Sequence, residues 1–262
     1  MKAPARITLL TDFGAADGYA GAVRGVIAAR APAVRVDDAG HDVPRGDIAA
    51  AAAALARYWR EYPEGTVHVV VVDPGVGGAR AALLVMADGR FGVGPDNGVL
   101  TPMLDSPGFE SVRVVRNADL FRHPVSATFH GRDVFAPVAA YVAQGGLPGK
   151  VGPEAAVPVR LARTEPERTA TGSRGVILHA DRFGNLATNL PADLVRHAVD
   201  VRVGDRSVGP LRATYAAVAP GTPLALIGSD GFLEIAVRDG SAAALPGFGA
   251  GITVTVRLAG ND

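Results

Sequence analysis

The chain contains no cysteine. Disulfides, cysteine-ligated zinc and thiol nucleophiles are therefore excluded. Neither sign of charge is in excess: 26 Lys and Arg balance 26 Asp and Glu, for a formal net charge of zero. That balance argues against a nucleic-acid binder working through a basic face, and against a polybasic membrane anchor. Long apolar runs are absent too. The most apolar stretch, Ile48 to Ala56, falls far short of the roughly 20 residues that span a bilayer. The opening Met1-Lys2-Ala3-Pro4-Ala5-Arg6 lacks the apolar run of a signal peptide, so the expectation is a cytoplasmic protein without membrane contact. Several catalytic signatures are also missing. There is no H-E-x-x-H and no G-x-S-x-G elbow, and Gly75-Val76-Gly77-Gly78 is not followed by the Lys-Ser/Thr of a phosphate loop.

What is present is enough apolar material for a large core: 262 residues, 48% of them hydrophobic, which suits one or two globular domains. The first half alternates strand-like and helix-like segments. Ile7 to Leu10 reads as a short buried strand. Asp17 is placed to cap a helix with Tyr19, Val23, Val26 and Ile27 on one face, ending before Pro32. A strand at Val34 to Val36 follows, then a helix capped by Asp47 with Ile48, Leu55, Trp59 and Tyr62 as its stripe, stopped by Pro63. Val67 to Val72 is the clearest strand, and its near-continuous valines predict burial on both faces, as in the centre of a parallel sheet. Leu83 to Met86 and Val112 to Val115 read as strands, and Asp133 to Gln144 as a helix. The pattern implies a layered α/β domain with a mostly parallel central sheet over residues 1–152.

Residues 153–173 are rich in Pro, Arg, Glu and Thr without a clean period and read as a linker. From 174 to 262 short β-rich runs dominate: Gly175 to Leu178, Val199 to Val203, Pro223 to Ile227, Phe232 to Val237 and Ile252 to Leu258. Gly and Pro punctuate them, which predicts a smaller C-terminal β-barrel or sandwich.

Ligands of open α/β sheets bind beyond the carboxyl ends of the strands. Asp12 follows the first strand and Asp73 the strongest one, so both acids are expected at one crevice, although either alone would read first as a turn or cap residue. The glycine-rich turn after Asp73 can carry Arg80 back toward it, where an Arg would orient a carboxylate and keep it ionised. His130, between Phe129 and Gly131 and just before a helix, can bind water or titrate near neutrality. The remaining histidines show no metal-ligand spacing, and His68 inside the valine strand reads as a core residue. The run His179 to Asn189 is too polar for a core strand. Its Asp181, Phe183, Asn185 and Asn189 supply the acid, flat aromatic and carboxamides that a protein needs to hold a purine nucleoside bearing an amine.

These segments match a known family in order: Thr11-Asp12-Phe13-Gly14, Asp73-Pro74-Gly75-Val76-Gly77, Pro95-Asp96-Asn97-Gly98, Phe129-His130-Gly131-Arg132-Asp133, Asp181-Arg182-Phe183-Gly184-Asn185 and Gly228-Ser229-Asp230-Gly231-Phe232 with Leu233-Glu234-Ile235-Ala236. The chain resembles the S-adenosyl-L-methionine hydroxide adenosyltransferases, relatives of the fluorinase and chlorinase. The resemblance implies a homotrimer whose substrate, S-adenosyl-L-methionine (SAM), sits between the N-terminal domain of one subunit and the C-terminal domain of its neighbour. It further implies water or hydroxide attack at ribose C5′, giving adenosine and L-methionine, with no cofactor and no metal. Asp73, Arg80 and His130 match the water-handling positions. Asp12 matches the acid on the ribose hydroxyls, Asp181 the residue on the methionine amine and Ser229 the carboxylate contact; Asn185 and the backbone near Val237 and Asp239 match the adenine edge. Gly131 occupies a place where the fluorinase has Ser and the chlorinase Gly. Where the halogenases carry Arg, this chain has Asp230, which cannot pair a carboxylate.

Three other readings stay open. A chloride-using halogenase on the same scaffold is opposed by Asp73, whose carboxylate would repel an anion held at C5′. A metal-dependent phosphohydrolase with Asp12 and Asp73 as ligands lacks a clustered donor set. A non-catalytic SAM or nucleoside-binding protein would bind without turnover.

Overall fold

A computed structural model describes residues 5–259. Positions 1–4 and 260–262, which hold most of the opening segment read for a leader and the outer ends of the two expected domains, lie outside them. The chain divides into two compact units, Met1–Leu161 and Ala162–Asp262.

The first unit runs β1 (Arg6–Thr11), α1 (Tyr19–Arg30), β2 (Arg35–Gly40), α2 (Ile48–Tyr58), β3 (Val67–Val71), β4 (Ala82–Ala87), β5 (Arg90–Pro95), α3 (Thr101–Leu104), β6 (Phe109–Val114) and α4 (Ala136–Ala143). Its six strands form one sheet in the order β2-β1-β3-β5-β4-β6. Strands β2, β1, β3 and β5 are parallel; β4 runs antiparallel to both β5 and β6. The sheet is therefore mostly parallel, as expected, with an antiparallel edge.

The valine strand occupies the centre because both its faces are covered. Val67, Val69 and Val71 pack with Ile7 and Leu9 under α1 and α4. Val70 and Val72 point the other way and join Leu10, Leu55 and Trp59 beneath α2 and α3. Side chains alternate across a strand, so a strand between two helical layers needs an apolar residue at every position. His68 is buried in this strand, with Nδ1 2.8 Å from Thr8 Oγ1 and its ring edge-on to Tyr58 and Tyr62. Desolvation holds its imidazole down at about 3, so it is a neutral core residue.

Three local expectations are corrected. Asp17 does not cap α1: Gly18 takes that place in the left-handed region at φ 73°, and no side chain caps the helix. Tyr62 lies beyond α2, which is capped by Asp47 accepting from Ala50 N at 2.8 Å and ends at Tyr58. The helix read from Asp133 begins earlier, with a π turn over Gly131–Phe135 that runs directly into α4.

Residues 152–161 pack with the first unit. Glu154 bridges to Arg113 and Arg160 to Gly98.

The second unit contains β7 (Glu167–Thr169), β8 (Gly172–Ala180), β9 (Leu186–Pro191), β10 (Ala198–Val203), β11 (Arg206–Gly209), β12 (Leu211–Arg212), β13 (Pro223–Ile227), β14 (Phe232–Val237) and β15 (Thr253–Leu258). The strands follow the order β11-β10-β15-β8-β9-β14-β13-β12, with β7 added on β8. Contacts between β11 and β13 and between β10 and β12 bring the ends of this sheet together, making a nearly closed barrel. Its core is lined by Ile177, Leu186, Val201, Ile235 and Val254. Strand β8 serves both halves, pairing β15 through Gly172 to Val176 and β9 from Ile177 onward. Gly175 permits this, since a Cβ there would lie 2.2 Å from Asn189 Oδ1. Among the described residues no helix is long and apolar enough to cross a membrane.

Candidate active site

Neighbouring parallel strands β1 and β3 end side by side, Thr11 opposite Val71. The residues that follow them, Asp12 and Asp73, line one cavity of about 460 Å³ together with Phe13, Phe129, His130 and Gly131. The volume lies within the range of small-molecule sites, and the position is the one open α/β sheets use for ligands.

Asp73 and Arg80 form a two-pronged pair. Arg80 Nε donates to Asp73 Oδ1 at 2.9 Å, and Arg80 Nη2 donates to Asp73 Oδ2. The pair is nearly dry, the Asp73 side chain being 5% exposed and that of Arg80 12%. The same Nη2 lies 2.8 Å from His130 Nδ1. A guanidinium only donates, so Nδ1 must accept, and the proton of the neutral ring sits on Nε2. Burial, and then the Arg80 cation, push His130 below the ordinary imidazole range against the pull of Asp73 and Asp133.

The loop that carries Arg80 back is shaped by glycine. Gly77 has φ +76°, and a Cβ there would stand 2.2 Å from the Ala127 carbonyl oxygen. Only glycine lets the Asp73 loop lie against the backbone just before Phe129 and His130. On the other side of the cavity, Asp12 Oδ2 accepts from Gly46 N at 2.8 Å. Gly131 faces the wall formed by Val71, Phe13 and Phe129, all 3.3–3.5 Å from where its Cβ would be. Phe13, Phe129 and Tyr19 stack edge-on or tilted, with centroids 5.3–6.0 Å apart. Tyr19, expected in the α1 core stripe, instead joins this group and is half exposed.

Asp133, not among the expected site residues although within the quoted motif, anchors the His130 segment. It is fully buried and accepts from Arg132 Nε at 2.7 Å, Arg132 Nη2 at 2.8 Å, Arg122 Nη1 at 3.0 Å and Ser126 N at 2.9 Å. Burial raises its pKa, but these donors outweigh burial and bring it down to about 2. The residue reads from sequence as an ordinary acid in a first helical turn; only the fold brings Arg122 and Arg132 together on its carboxylate.

The remaining expected residues belong to the second unit, on loops except for Val237 at the end of β14. Asp181 closes the β8–β9 turn: its Oδ1 accepts from Phe183 N and Asn185 N, both at 2.9 Å. Phe183 projects outward, 79% exposed. Val237 is the buried last residue of β14, and the loop that follows carries Asp239 at φ 54°. The two loops are tied by Ala243 N donating to Gly184 O at 3.0 Å. Ser229 lies in the β13–β14 turn, at the other end of β14 from Asp239. Tyr215 Oη donates to Glu234 Oε1 at 2.6 Å; burial, Glu234 and the charge of Asp181 push its phenol up to about 12. Among the described residues no three His, Asp or Glu are grouped as a metal ion requires.

A mostly parallel α/β unit, a following β-barrel and an Asp–Arg–His cluster at the strand ends define a small-molecule enzyme scaffold with a built polar centre. The chain matches the SAM hydroxide adenosyltransferase N-terminal domain over residues 7–152 and the corresponding C-terminal domain over residues 175–255. It belongs to the S-adenosyl-L-methionine hydroxide adenosyltransferase family. It is 43% identical to the (R)-S-adenosyl-L-methionine hydrolase of Thermus thermophilus, over 95% of this chain and 98% of that one. It is 39% identical to the protein of the same name from Salinispora tropica, over 92% and 93%. A solved structure of an uncharacterized conserved protein from Thermotoga maritima superposes with a TM-score of 0.87 at 34% identity, covering 95% of this chain and 99% of that one.

Proposed function

We propose that this protein hydrolyses S-adenosyl-L-methionine, specifically the (R) epimer at sulfur that its relatives' names specify, to adenosine and L-methionine. The observation that carries the reading is the Asp73–Arg80–His130 cluster on the cavity that also holds Asp12.

The substrate is a sulfonium, so its leaving group departs as a neutral thioether and needs no proton. The barrier lies with the nucleophile, because water attacks carbon poorly unless it is held in line and relieved of a proton. Arg80 occupies Nδ1 of His130, leaving Nε2–H to donate to the water oxygen. Asp73 keeps lone pairs beyond those used by Arg80 and accepts the proton. The water oxygen bonds to C5′, the C5′–S electron pair returns to sulfur, and the proton passes from Asp73 to solvent. Asp12 binds the ribose hydroxyls and keeps C5′ within reach. A chloride ion in the same position would meet the Asp73 carboxylate, which favours water.

The barrel residues Asp181, Phe183, Asn185, Ser229, Val237 and Asp239 hold the amino-acid and adenine ends of the substrate. They reach it as a neighbouring subunit's contribution within a homotrimer, in the cytoplasm and without cofactor or metal. Incubating each sulfur epimer with the protein, with and without chloride or chelator, and separating the products tests the reading. Adenosine and methionine from the (R) epimer in every condition is expected; a halogenated nucleoside, or binding without product, overturns it. Mixing Asp73→Ala with Asp181→Ala subunits tests the shared site, since complementation restores activity only if two chains build it.

A further inference from the structure

The Pro95–Gly98 turn belongs to a conspicuous sequence motif, yet none of its residues lines the cavity. Its hydrogen bonds run to both stems of the loop that carries the Asp73–Arg80 pair. On one side Asp96 N donates to Ala81 O at 2.9 Å, immediately after Arg80. On the other, Asn97 Nδ2 donates to Val72 O at 2.9 Å, the carbonyl of the peptide that leads into Asp73. Asn97 Oδ1 meanwhile accepts from Val99 N at 3.1 Å, which fixes the orientation of the amide.

The second bond falls where the sheet stops holding β3. Pairing with β1 ends at Val71 opposite Thr11, and pairing with β5 ends at Val69 opposite Val93. Asp73 thus leaves the ladder before its carboxylate meets Arg80, and the Asn97 amide takes up the next free carbonyl. Gly98 at φ +97°, packed on Leu161, and the Asp96 carboxylate, accepting from Val159 N at 2.7 Å, hold the turn itself in place.

We propose that Asn97 is a positioning residue that sets Asp73 against Arg80, and through Arg80 against His130. The inference rests on the hydrolytic reading for its kinetic consequence but not for its geometric one. Misplacement of a reacting group by about 1 Å costs on the order of 100-fold in rate, so a lost tether acts on kcat while the ribose and barrel contacts that set KM remain.

The test is Asn97→Ser. A serine hydroxyl still accepts from Val99 N in a turn but falls short of Val72 O. The expected result is a kcat lowered about 10- to 100-fold with KM within about 2-fold of wild type. In an Asp73→Asn background the same change should cost nothing further, because its effect passes through Asp73. The Arg80 Nε–H resonance, assigned by its loss in Arg80→Lys, should move in Asn97→Ser without any substrate present. Full activity, an added loss in the Asp73→Asn background, or an unmoved Arg80 resonance overturns the proposal. Asn97→Asp, which keeps the acceptor and removes the donor, serves the same comparisons if the serine variant does not fold. Failure of both to fold also overturns it, since Asn97 would then hold the fold rather than the pair. If the wild-type protein releases no adenosine, the hydrolytic reading fails, and the resonance still decides the role of Asn97.

Discussion

Arg80 holds Asp73 with two nitrogens and turns the second hydrogen of one of them on His130 Nδ1, 2.8 Å away. One guanidinium therefore sets both the orientation of the carboxylate and the tautomer of the imidazole. A lysine has the charge without the planar fork. Arg80→Lys is expected to lower kcat by about 100-fold with little change in KM. Steady-state kinetics on the purified variant checks this, and an unchanged kcat would mean that charge alone suffices.

The tautomer has its own consequence. If His130 works as an Nε2–H donor, glutamine at that position preserves the donor and loses only the basic nitrogen. His130→Gln is expected to keep activity within about 10-fold of wild type, whereas His130→Ala loses about 100-fold or more. Equal loss in both variants would make His130 the proton acceptor instead.

Asp12 binds rather than reacts in this account. Asp12→Ala should raise KM at least about 10-fold and leave kcat nearly intact, because losing ground-state and transition-state binding together moves KM alone. A fall confined to kcat would remove the ribose assignment.

Asp133 predicts an acid sensitivity. Its carboxyl sits at about 2 in the folded protein, below the 3.8 of an ordinary aspartate. A depressed folded value stabilises above the unfolded one, and the contribution is lost as pH falls from about 4 through about 2. The shift corresponds to about 2 kcal/mol. Denaturant titrations should find Asp133→Asn less stable than wild type at neutral pH, with the gap closing toward pH 2. A gap constant with pH would mean that the charge of Asp133 contributes nothing.

Two glycines should respond oppositely to alanine. Gly77→Ala combines φ +76° with a Cβ driven into the Ala127 carbonyl, and is expected to destabilise by about 1–3 kcal/mol and to lower kcat by displacing Arg80. Gly21→Ala, in α1 with nothing within 4 Å of the new Cβ, is expected to stabilise by about 0.5–1 kcal/mol. Thermal melts of the two variants test the contrast.

Much of the first unit was legible because burial on two faces writes itself as unbroken apolar sequence, as in Val67 to Val72. Strand β5 was not, since Arg90–Pro95 carries two glycines and a proline, poor strand formers. Both glycines answer to packing: a Cβ at Gly92 would lie 2.6 Å from Met103 Sδ, and one at Gly94 2.6 Å from Val70 O. The reversed direction of β4 left no local mark either, because β4 is buried almost throughout, like a parallel strand. At the site, Asp12 and Asp73 could be read because strand ends predict where ligands bind. The roles of Asp133 and Asn97 depend on partners 7 to 25 residues away, which a linear pattern does not announce. The π turn at Gly131 is similarly silent, although such turns gather at functional sites.

The central claim is water attack at C5′ within the Asp73–Arg80–His130 cluster. The most direct measurement is turnover of (R)-S-adenosyl-L-methionine in heavy-oxygen water, followed by mass analysis of both products. The account predicts one heavy oxygen in the 5′-hydroxyl of adenosine, none in methionine, and a steep fall in the rate of labelled product, to a small residual, in Asp73→Asn. Unlabelled adenosine, label in methionine, or labelled product formed at the wild-type rate by Asp73→Asn would contradict it.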